Sequence, residues 1–441
     1  MNKWIARSAA LGMLLAPVAA QAQEALVDAA DSGDTAWIPV SSAFVLMMTM
    51  PGLTLFYGGL VRSKNFLSVC LQTGAIAAVV SLLWIFVGYT FAFGPVTNGW
   101  LGAGSNWMLN GIGNVRAGVD LSGNELAIPE SAFALFQLTF AAITPALMVG
   151  AWVDRARFGW VVLFSALWSL IVYVPVAHWV WGGGWMASKL GTLDFAGGIV
   201  VHTTAGVSAL VTAALLGKRT GFPKTLMLPH SPSLTMAGAA MLWVGWFGFN
   251  GGSALAANDD AASAIINTHV AACAAAMMWL LIERIKVGKP TSVGFATGAI
   301  AGLATVTPAA GFISPGAAFI LGLAAALVCF PMIAVVKNRF HIDDSLDVFA
   351  VHGVGGMTGS ILLAVFYNPA LGGTADPATY SLGGQLIAQV AGVGITAIWS
   401  AIASAILAVA VGLAFPMRVS EDDEREGLDL ASHGERAWEM D

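Results

Sequence analysis

The sequence predicts an all-α polytopic membrane protein with eleven transmembrane helices, arranged as two inverted five-helix repeats and a final helix. Three observations support this prediction. Hydrophobic residues make up 57% of the 441 residues, charged residues only 10%, and the mean hydropathy is +0.78, whereas a soluble domain carries about 25% charged residues. The apolar residues fall into eleven runs near the length of roughly 20 residues that a span needs. Lysine and arginine residues concentrate in every second break between these runs.

The N-terminus has the form of a secretory signal peptide. Lys3 and Arg7 precede an apolar run over 9–20, and Ala20-Gln21-Ala22 is typical of a small-residue cleavage site. We therefore expect residues 1–22 to be removed, with an uncleaved first helix as the alternative. Cleavage would place the mature N-terminus outside a bacterial inner membrane. The remaining chain divides into an eleven-helix domain at 23–417 and a tail at 418–441.

The breaks between the apolar runs set the predicted spans and their orientation. The spans are 37–61, 65–93, 131–153, 158–180, 194–217, 233–256, 260–282, 291–309, 312–336, 346–368 and 385–416. Basic residues concentrate in cytoplasmic loops of membrane proteins. With an external N-terminus, the external loops hold only Arg116 and Lys189, and all other loop lysines and arginines fall inside. The C-terminus is then cytoplasmic.

The order of the spans predicts an inverted repeat. Five spans precede the basic connection at 218–232, and five follow it before the last helix. Because five is odd, the second half has the opposite orientation, and inverted repeats place the working site near the midplane at their interface. The last span of each half carries an acid and a histidine, which are Asp194 and His202 in the first and Asp347 and His352 in the second.

These ionisable residues indicate a substrate or proton path, because charged groups are costly at membrane depth. His202 lies about 12 Å deeper than Asp194, and His352 about 7.5 Å from Asp347, along a helix. Tilted helices can thus bring both histidines to mid-depth. The alternative is that both acids only cap helix starts and that the histidines only join neighbouring helices. Metal binding is disfavoured because the acid and the histidine of each span are poorly placed to bind one ion together. We expect no cofactor and no enzymatic activity.

An aromatic set accompanies the histidines. Phe136 and Phe140 are one helical turn apart, Trp181 ends the fourth span, and the sixth span contains Trp246, Phe249 and Ser253. Aromatic faces attract ammonium-type cations, and a serine hydroxyl accepts a hydrogen bond from them. The alternative is ordinary packing with an interfacial aromatic belt.

These segments closely resemble the ammonium transporter (Amt) family in its bacterial form. The matching stretches are Phe-Tyr-Gly-Gly-Leu-Val-Arg (56–62), Phe-Gln-Leu-Thr-Phe (136–140), Trp-Gly-Gly-Gly (181–184), Asp-Phe-Ala-Gly-Gly-Ile-Val-Val-His (194–202), Trp-Phe-Gly-Phe-Asn-Gly-Gly-Ser (246–253) and Asp-Val-Phe-Ala-Val-His-Gly-Val-Gly-Gly (347–356). The resemblance covers essentially the whole mature chain. It implies the eleven-helix fold with two inverted halves, a homotrimer and one pore in each subunit. The chain departs from the family pattern at Gly251, where alanine is expected.

The resemblance implies a role for each matching residue. Phe136, Phe140, Trp181 and Ser253 are expected to form the external cation site, and Phe140 and Phe249 the aromatic gate below it. His202 and His352 are expected to be the twin histidines of the pore. Asp194 is expected to support cation recruitment, and Trp246 to line the path.

The expected mechanism is that ammonium is held at the external site, loses a proton and passes inward as ammonia. An ion in an apolar pore costs tens of kcal/mol in the idealised limit, whereas ammonia is neutral. A hydrogen-bonded imidazole pair is suited to take or relay the proton. The tail resembles the family's cytoplasmic docking surface for a PII-type nitrogen-signalling protein. The alternative is a solvated terminus. We expect a lipid bilayer around the chain and no nucleic-acid partner.

Two rival functions stay open. One is a Rh-type channel for neutral gas, which keeps twin histidines but usually lacks the tryptophan and serine of the external site, so Trp181 and Ser253 favour the Amt type. The other is an ammonium sensor with little flux, which often carries a further signalling domain. Only about 24 residues follow the last predicted span here.

Overall fold

The computed structural model describes residues 30–104, 106–225 and 227–438, and within these ranges it contains helices and no β-strand. The predicted signal peptide at 1–22 lies outside the described residues. The long helices are α1 (Ser32–Leu60), α2 (Ser63–Phe93), α3 (Glu130–Trp152), α4 (Phe158–Val180), α5 (Gly198–Leu216), α6 (Pro232–Gly252), α7 (Asp259–Lys286), α8 (Ser292–Val306), α9 (Pro315–Arg339), α10 (Phe349–Phe366) and α11 (Leu382–Ala414). Two short tail helices follow, α12 (Glu421–Glu426) and α13 (Leu428–His433).

The all-α membrane class is confirmed. Nine of the helices in the described ranges are long and apolar enough to cross a membrane, and α8 is a shorter apolar helix. The remaining one, α6, has 21 residues. A helix covers part of each of the eleven predicted spans. The count of eleven crossings itself stays a prediction.

Side chains at the helix starts satisfy backbone groups that the bilayer cannot. The first N–H groups of a helix lack partners within it, and such groups are costly in lipid. The side-chain oxygens of Ser231, Asn258 and Thr291 accept hydrogen bonds from the N–H groups three residues later, at 3.3, 3.2 and 2.8 Å. These caps fix where α6, α7 and α8 begin.

The helices run between two ends of the bundle. The long-loop end carries residues 94–129 and 181–194, and the tail end carries residues 418–438. At the long-loop end, α2 ends and α3 begins. At the tail end, Arg157 N–H donates to the Met417 carbonyl at 2.9 Å, so the start of α4 and the tail lie together there.

Helices α5 and α10 cross in contact at glycines. A Cβ on Gly206 would lie 2.2 Å from Cα of Gly353, and a Cβ on Gly356 would lie 2.6 Å from both the Gly198 carbonyl oxygen and Cβ of His202. Gly206 and Gly356 each follow a histidine by four residues. The two helices are therefore antiparallel and nearly in backbone contact beside His202 and His352, which agrees with the predicted inverted halves.

The tail is folded against the tail end of the bundle rather than extended into solvent. The Asp429 carboxylate accepts hydrogen bonds from the N–H groups of Leu67 and Ser68 at 3.1 and 2.8 Å. The Glu424 carboxylate accepts one from Thr220 N–H at 2.6 Å and pairs with Arg418 at 2.7 Å. The tail thus supplies caps that the first turn of α2 and the 217–220 connection lack by themselves.

A buried ion cluster lies beneath the tail. Arg219 bridges Asp154 at 3.2 Å and Asp343 at 2.8 Å, and both carboxylates are completely buried. Arg155 adds a hydrogen bond from Nη2 to the Asp343 carbonyl at 2.7 Å. These charge-assisted contacts hold the segment that leads into α10, the helix that carries His352.

Candidate functional site

A cavity of about 300 Å³ opens at the long-loop end, and we call it the long-loop cavity. Its wall includes Gln137, Phe140, Trp181 and Ser253. Three of the four residues predicted for the external cation site, Phe140, Trp181 and Ser253, therefore lie together. They meet from three different helices although more than 100 residues separate the first from the last.

Phe136 departs from the prediction. Its ring is fully buried and lies 4.8 Å from the Phe140 ring, centroid to centroid, but it does not line the cavity. The reason is that it packs into the space left by Gly252, where a Cβ would lie 2.7 Å from Cε2 of Phe136. The wall residues of α3 are instead Phe133, Gln137 and Phe140, which follow the helical spacing of one face.

Trp181 ends α4 and forms one side of the cavity. Its Nε1 donates a hydrogen bond to the Asp194 carbonyl at 2.7 Å, and its ring meets the Phe140 ring edge to face at 5.9 Å. The glycines that follow allow the chain to turn here. Gly183 has φ +80°, and a Cβ on Gly182 would lie 2.1 Å from the Ala92 carbonyl oxygen.

The Asp194 carboxylate is buried and fully occupied by the backbone. Oδ1 accepts from the N–H groups of Gly197 and Gly198 at 2.8 Å, and Oδ2 accepts from Ile199 and Val200 at 2.8 and 2.9 Å. The residue therefore caps the start of α5, as one of its two sequence interpretations held. Its negative charge also lies beside the cavity wall through Phe195 and Trp181. A bound cation would meet this charge through space rather than through a hydrogen bond.

Below the cavity, two phenylalanine rings close the path. Phe140 and Phe249 stack with centroids 4.1 Å apart and an interplanar angle of 27°. Both rings are buried. The two residues predicted for the aromatic gate are thus in face-to-face contact, and a molecule that leaves the long-loop cavity inward must displace them.

The two histidines lie directly beyond the phenylalanine pair. His202 stacks on Phe249 at 6.2 Å and on His352 at 5.3 Å, with interplanar angles of 21° and 24°. Trp246 stacks on the His202 ring at 5.6 Å, and its Nε1 donates to Oγ1 of Thr307 at 2.8 Å. Both histidines are buried. The predicted pairing of His202 with His352 is therefore present in the fold.

The expected hydrogen bond between the imidazoles is not what the structure shows. The rings stack instead, and neither nitrogen of His202 nor Nδ1 of His352 has a hydrogen-bond partner among the described residues. Both histidines occupy π-helical turns, Gly198–Thr203 and Phe349–Gly353. Such turns are rare and frequent at functional sites. The widened turns present the two rings to each other across the contact of α5 and α10.

The histidines line a narrow cavity, which we call the histidine cavity. It offers about 10 Å³ to the centre of a water-sized molecule, and its wall includes Phe249, His202 and His352. A space of about this size holds one water, and ammonia is of similar size. The wall is otherwise apolar, so an ion would find few polar partners there.

A third cavity of about 200 Å³ opens at the tail end, and we call it the tail cavity. His352 lines it together with Lys337 and Asp347. Because Phe249 faces the histidine cavity below Phe140, and His352 lines both inner cavities, the three spaces form one line through the bundle. The Phe140–Phe249 stack lies between the long-loop cavity and the histidine cavity, and His352 lies between the histidine cavity and the tail cavity.

The sequence interpretation of Asp347 as a helix cap needs correction. Asp347 has φ +63° and pairs with Lys337 at 2.7 Å. The cap of α10 is Asp344, whose Oδ2 accepts from Phe349 N–H at 2.8 Å. Asp344 precedes His352 by eight residues, as Asp194 precedes His202. This equal spacing is the sequence signal that identifies Asp344 as the equivalent of Asp194.

Two further groups on the long-loop cavity escaped the sequence reasoning. Oε1 of Gln137 is buried without a hydrogen-bond partner among the described residues, and Arg116 lines the same wall. Gln137 was detectable, since it continues the face of α3 that carries Phe140. Arg116 was not, because it belongs to an irregular connection. Within the described residues, no three metal-binding side chains come together.

Comparison with known proteins shows similarity along nearly the whole chain. The model of the Ammonium Transporter Family matches residues 36–438. The chain is 45% identical over 411 residues to an ammonium transporter of Aquifex aeolicus, which covers 93% of this chain and 94% of the relative. It is 44% identical over 409 residues to an ammonium transporter of Bacillus subtilis, with 92% and 98% covered.

Solved structures show the same similarity in three dimensions. A sensor Amt protein superposes with a TM-score of 0.84 at 28% identity, covering 91% of this chain and 98% of that protein. Mep2 of Saccharomyces cerevisiae superposes with a TM-score of 0.80 at 36% identity, covering 90% and 89%.

Proposed function

The chain belongs to the ammonium transporter family, and from this premise we propose that it binds ammonium in the long-loop cavity, removes its proton and conducts ammonia to the tail cavity. One observation carries the proposal. The rings of Trp181, Phe140, Phe249, His202 and His352 follow one another from the first cavity to the last, each within 6.2 Å of the next.

The long-loop cavity supplies the features that a cation needs. The rings of Phe140 and Trp181 line this cavity, and the contact of a desolvated cation with an aromatic face is worth about 2 kcal/mol. Ser253 Oγ and Gln137 Oε1 are acceptors on the same wall. Asp194 contributes a nearby negative charge while its oxygens stay bonded to the backbone.

The narrow histidine cavity explains why the proton must leave. Among the described residues between Phe249 and His352, too few polar groups are present to replace the water shell of an intact ion, and the cost is tens of kcal/mol in the idealised limit. Loss of the proton leaves neutral ammonia, which is about the size of the single water that the histidine cavity admits. Both nitrogens of His202 lack a hydrogen-bond partner among the described residues, so the basic nitrogen of the neutral ring is free to accept the proton, which then passes toward His352.

We propose that the long-loop end faces the outside of a bacterial inner membrane and that the tail is cytoplasmic. The basic side chains Lys64, Arg155, Arg219 and Lys337 all lie at the tail end, as expected for a cytoplasmic face. The family resemblance also supports a homotrimer and a PII-type regulatory protein that binds the tail.

The double variant His202→Ala/His352→Ala tests the proton relay. We expect it to lose ammonium-evoked current in proteoliposomes on supported membranes, because no other imidazole lines the histidine cavity in the described residues. The control is His269→Ala, which removes a histidine on the outer surface of α7 beside Cys273. Undiminished current with unchanged ion selectivity in the double variant would show that the histidines carry no proton.

Uptake measured alongside these current recordings distinguishes the alternative functions. A neutral gas channel gives methylamine uptake without current in the unmodified protein. A sensor with little flux gives neither, although it binds ammonium. The proposed transporter gives both uptake and current.

A further inference from the structure

A guanidinium group lines the cavity that is proposed to collect cations. Arg116 is part of the wall of the long-loop cavity, together with Phe133 and Phe140. A fixed positive charge at a cation site repels the substrate unless something compensates it. The surroundings of Arg116 therefore determine how much ammonium the cavity holds.

The backbone holds Arg116 in place. Its N–H donates to the Ile128 carbonyl at 2.9 Å, and Glu130 N–H donates to the Asn114 carbonyl at 2.8 Å. These bonds join the two sides of the long loop beside the start of α3. Arg116 is thus a fixed feature of the wall although its connection is irregular.

The side chain of Arg116 is held between a carboxylate and an aromatic ring. Nη1 lies 2.9 Å from Oε1 of Glu130, and Cζ lies 4.1 Å from the centroid of the Phe133 ring. The Tyr89 hydroxyl donates a hydrogen bond to the same Glu130 oxygen. Glu130 does not line the cavity, so the guanidinium separates the carboxylate from it.

This geometry makes the pair neutral as a whole but positive on the side of the cavity. The guanidinium also lies over the face of the Phe133 ring, which would otherwise be available to another cation. We propose that Arg116, balanced by Glu130, determines the apparent affinity for ammonium by limiting how strongly the long-loop cavity attracts cations. This inference rests on the proposed function and adds a residue that controls affinity.

The two single variants have opposite expected effects. Arg116→Met leaves the Glu130 carboxylate uncompensated beside the cavity, so the half-saturating concentration for radiolabelled methylammonium uptake into proteoliposomes falls about tenfold at low salt. Glu130→Gln leaves the guanidinium uncompensated, so the half-saturating concentration rises about tenfold. The double variant Arg116→Met/Glu130→Gln is neutral again and returns close to the wild-type value.

A conservative change separates charge from packing. Arg116→Lys keeps the positive charge on the wall, and we expect it to keep the wild-type affinity. The control is Lys189→Met, which removes the same charge from the same end of the bundle at a residue that does not line the cavity. We expect no change in its half-saturation.

Three outcomes contradict the inference. They are shifts of the same sign in both single variants, a half-saturation in Arg116→Lys that shifts as far as in Arg116→Met, and unchanged half-saturation in all variants. Each of these arises while the wild-type protein still takes up methylammonium, so the proposed function survives. If the wild-type protein itself shows no uptake, the proposed function is wrong and this inference with it.

Discussion

Trp181 joins the wall of the long-loop cavity to the segment that begins α5. Its ring contacts Phe140 on the cavity wall, and its Nε1 bonds the Asp194 carbonyl. The same side chain thus forms part of the cavity wall and fixes the segment that leads to His202. No aliphatic residue supplies both contacts.

We predict that Trp181→Leu raises the half-saturating concentration for ammonium at least tenfold. A desolvated cation–π contact is worth about 2 kcal/mol, and about 1.4 kcal/mol corresponds to a factor of ten. The measurement is methylammonium uptake against concentration. Trp100→Leu is the control, since Trp100 lies at the same end but is 56% exposed and does not line the cavity. Equal shifts in both variants would contradict a specific role for Trp181.

Asp344 is a buried acid whose charge costs stability. Burial, together with the nearby Asp347 carboxylate, raises the pKa of Asp344 from 3.8 to about 6. Because the pKa is higher in the folded protein, the protonated carboxyl favours folding below about pH 4, and this contribution is lost as the pH rises through 6. The difference amounts to roughly 3 kcal/mol.

We predict that Asp344→Asn makes the protein more resistant to thermal unfolding in detergent at pH 8 and leaves it nearly unchanged at about pH 3.5, below the unfolded pKa. An asparagine oxygen still accepts the hydrogen bond from Phe349 N–H, so the cap of α10 is kept while the buried charge is removed. Asp422→Asn, an exposed acid of the tail, serves as the control and should change neither value. A variant that is less stable than wild type at pH 8 would refute this account of Asp344.

At the scale of elements, the contact of α5 with α10 decides the position of both histidines. Side chains larger than hydrogen at Gly206 and Gly356 would overlap the opposite backbone. The small residues bring the helix axes close enough for the imidazole rings to stack at 5.3 Å. Close approach at glycine is a general basis of helix association in membranes.

We predict that Gly356→Ala abolishes transport. The added methyl lies 2.6 Å from the Gly198 oxygen and from Cβ of His202, and overpacking of this kind costs about 1–3 kcal/mol. The helices must separate, which moves the two rings apart. Gly394→Ala in α11 is the matched control, because nothing lies within 4 Å of its Cβ and transport should persist. Normal uptake by Gly356→Ala would show that the imidazole stack does not need this contact.

At the scale of the whole molecule, the folded tail joins distant parts of the chain. Leu428 N–H donates to Oδ1 of Asn65 at 2.7 Å, and the Asn65 side-chain amide donates to Asp154. Asp154 in turn pairs with Arg219, which bonds Asp343 one residue before the α10 cap. A protein that binds the tail would therefore contact a series of polar bonds that ends beside the cap of α10.

We predict that a chain ending before Glu421 no longer binds a PII-type protein in a pull-down assay, because α12 and α13 form the proposed docking surface. Asp429→Ala is the matched comparison. It keeps the tail sequence but removes the bonds to Leu67 and Ser68, and we expect it to weaken binding at least threefold if the partner recognises the docked tail. Equal capture by the truncated and intact chains would exclude the tail as the binding surface.

The sequence by itself determined the class of the protein and the places of its helices. Each apolar run has its own transfer free energy into the bilayer, and lipid forces an isolated run to satisfy its backbone as a helix. This physics is local, so runs such as 158–180 were predicted with the ends that the structure has in α4. The motifs likewise indicate Phe140, Phe249, His202 and His352 as candidate site residues from the sequence alone.

Only the tertiary structure decided which of these groups touch. It buried Phe136 behind the cavity wall, gave the cap of α10 to Asp344 instead of Asp347, and stacked the imidazoles where a hydrogen bond was expected. It also placed Arg116, paired with Glu130, on the wall of the long-loop cavity. These outcomes depend on how closely whole helices approach and on connections without periodicity, and no single stretch of residues contains that information.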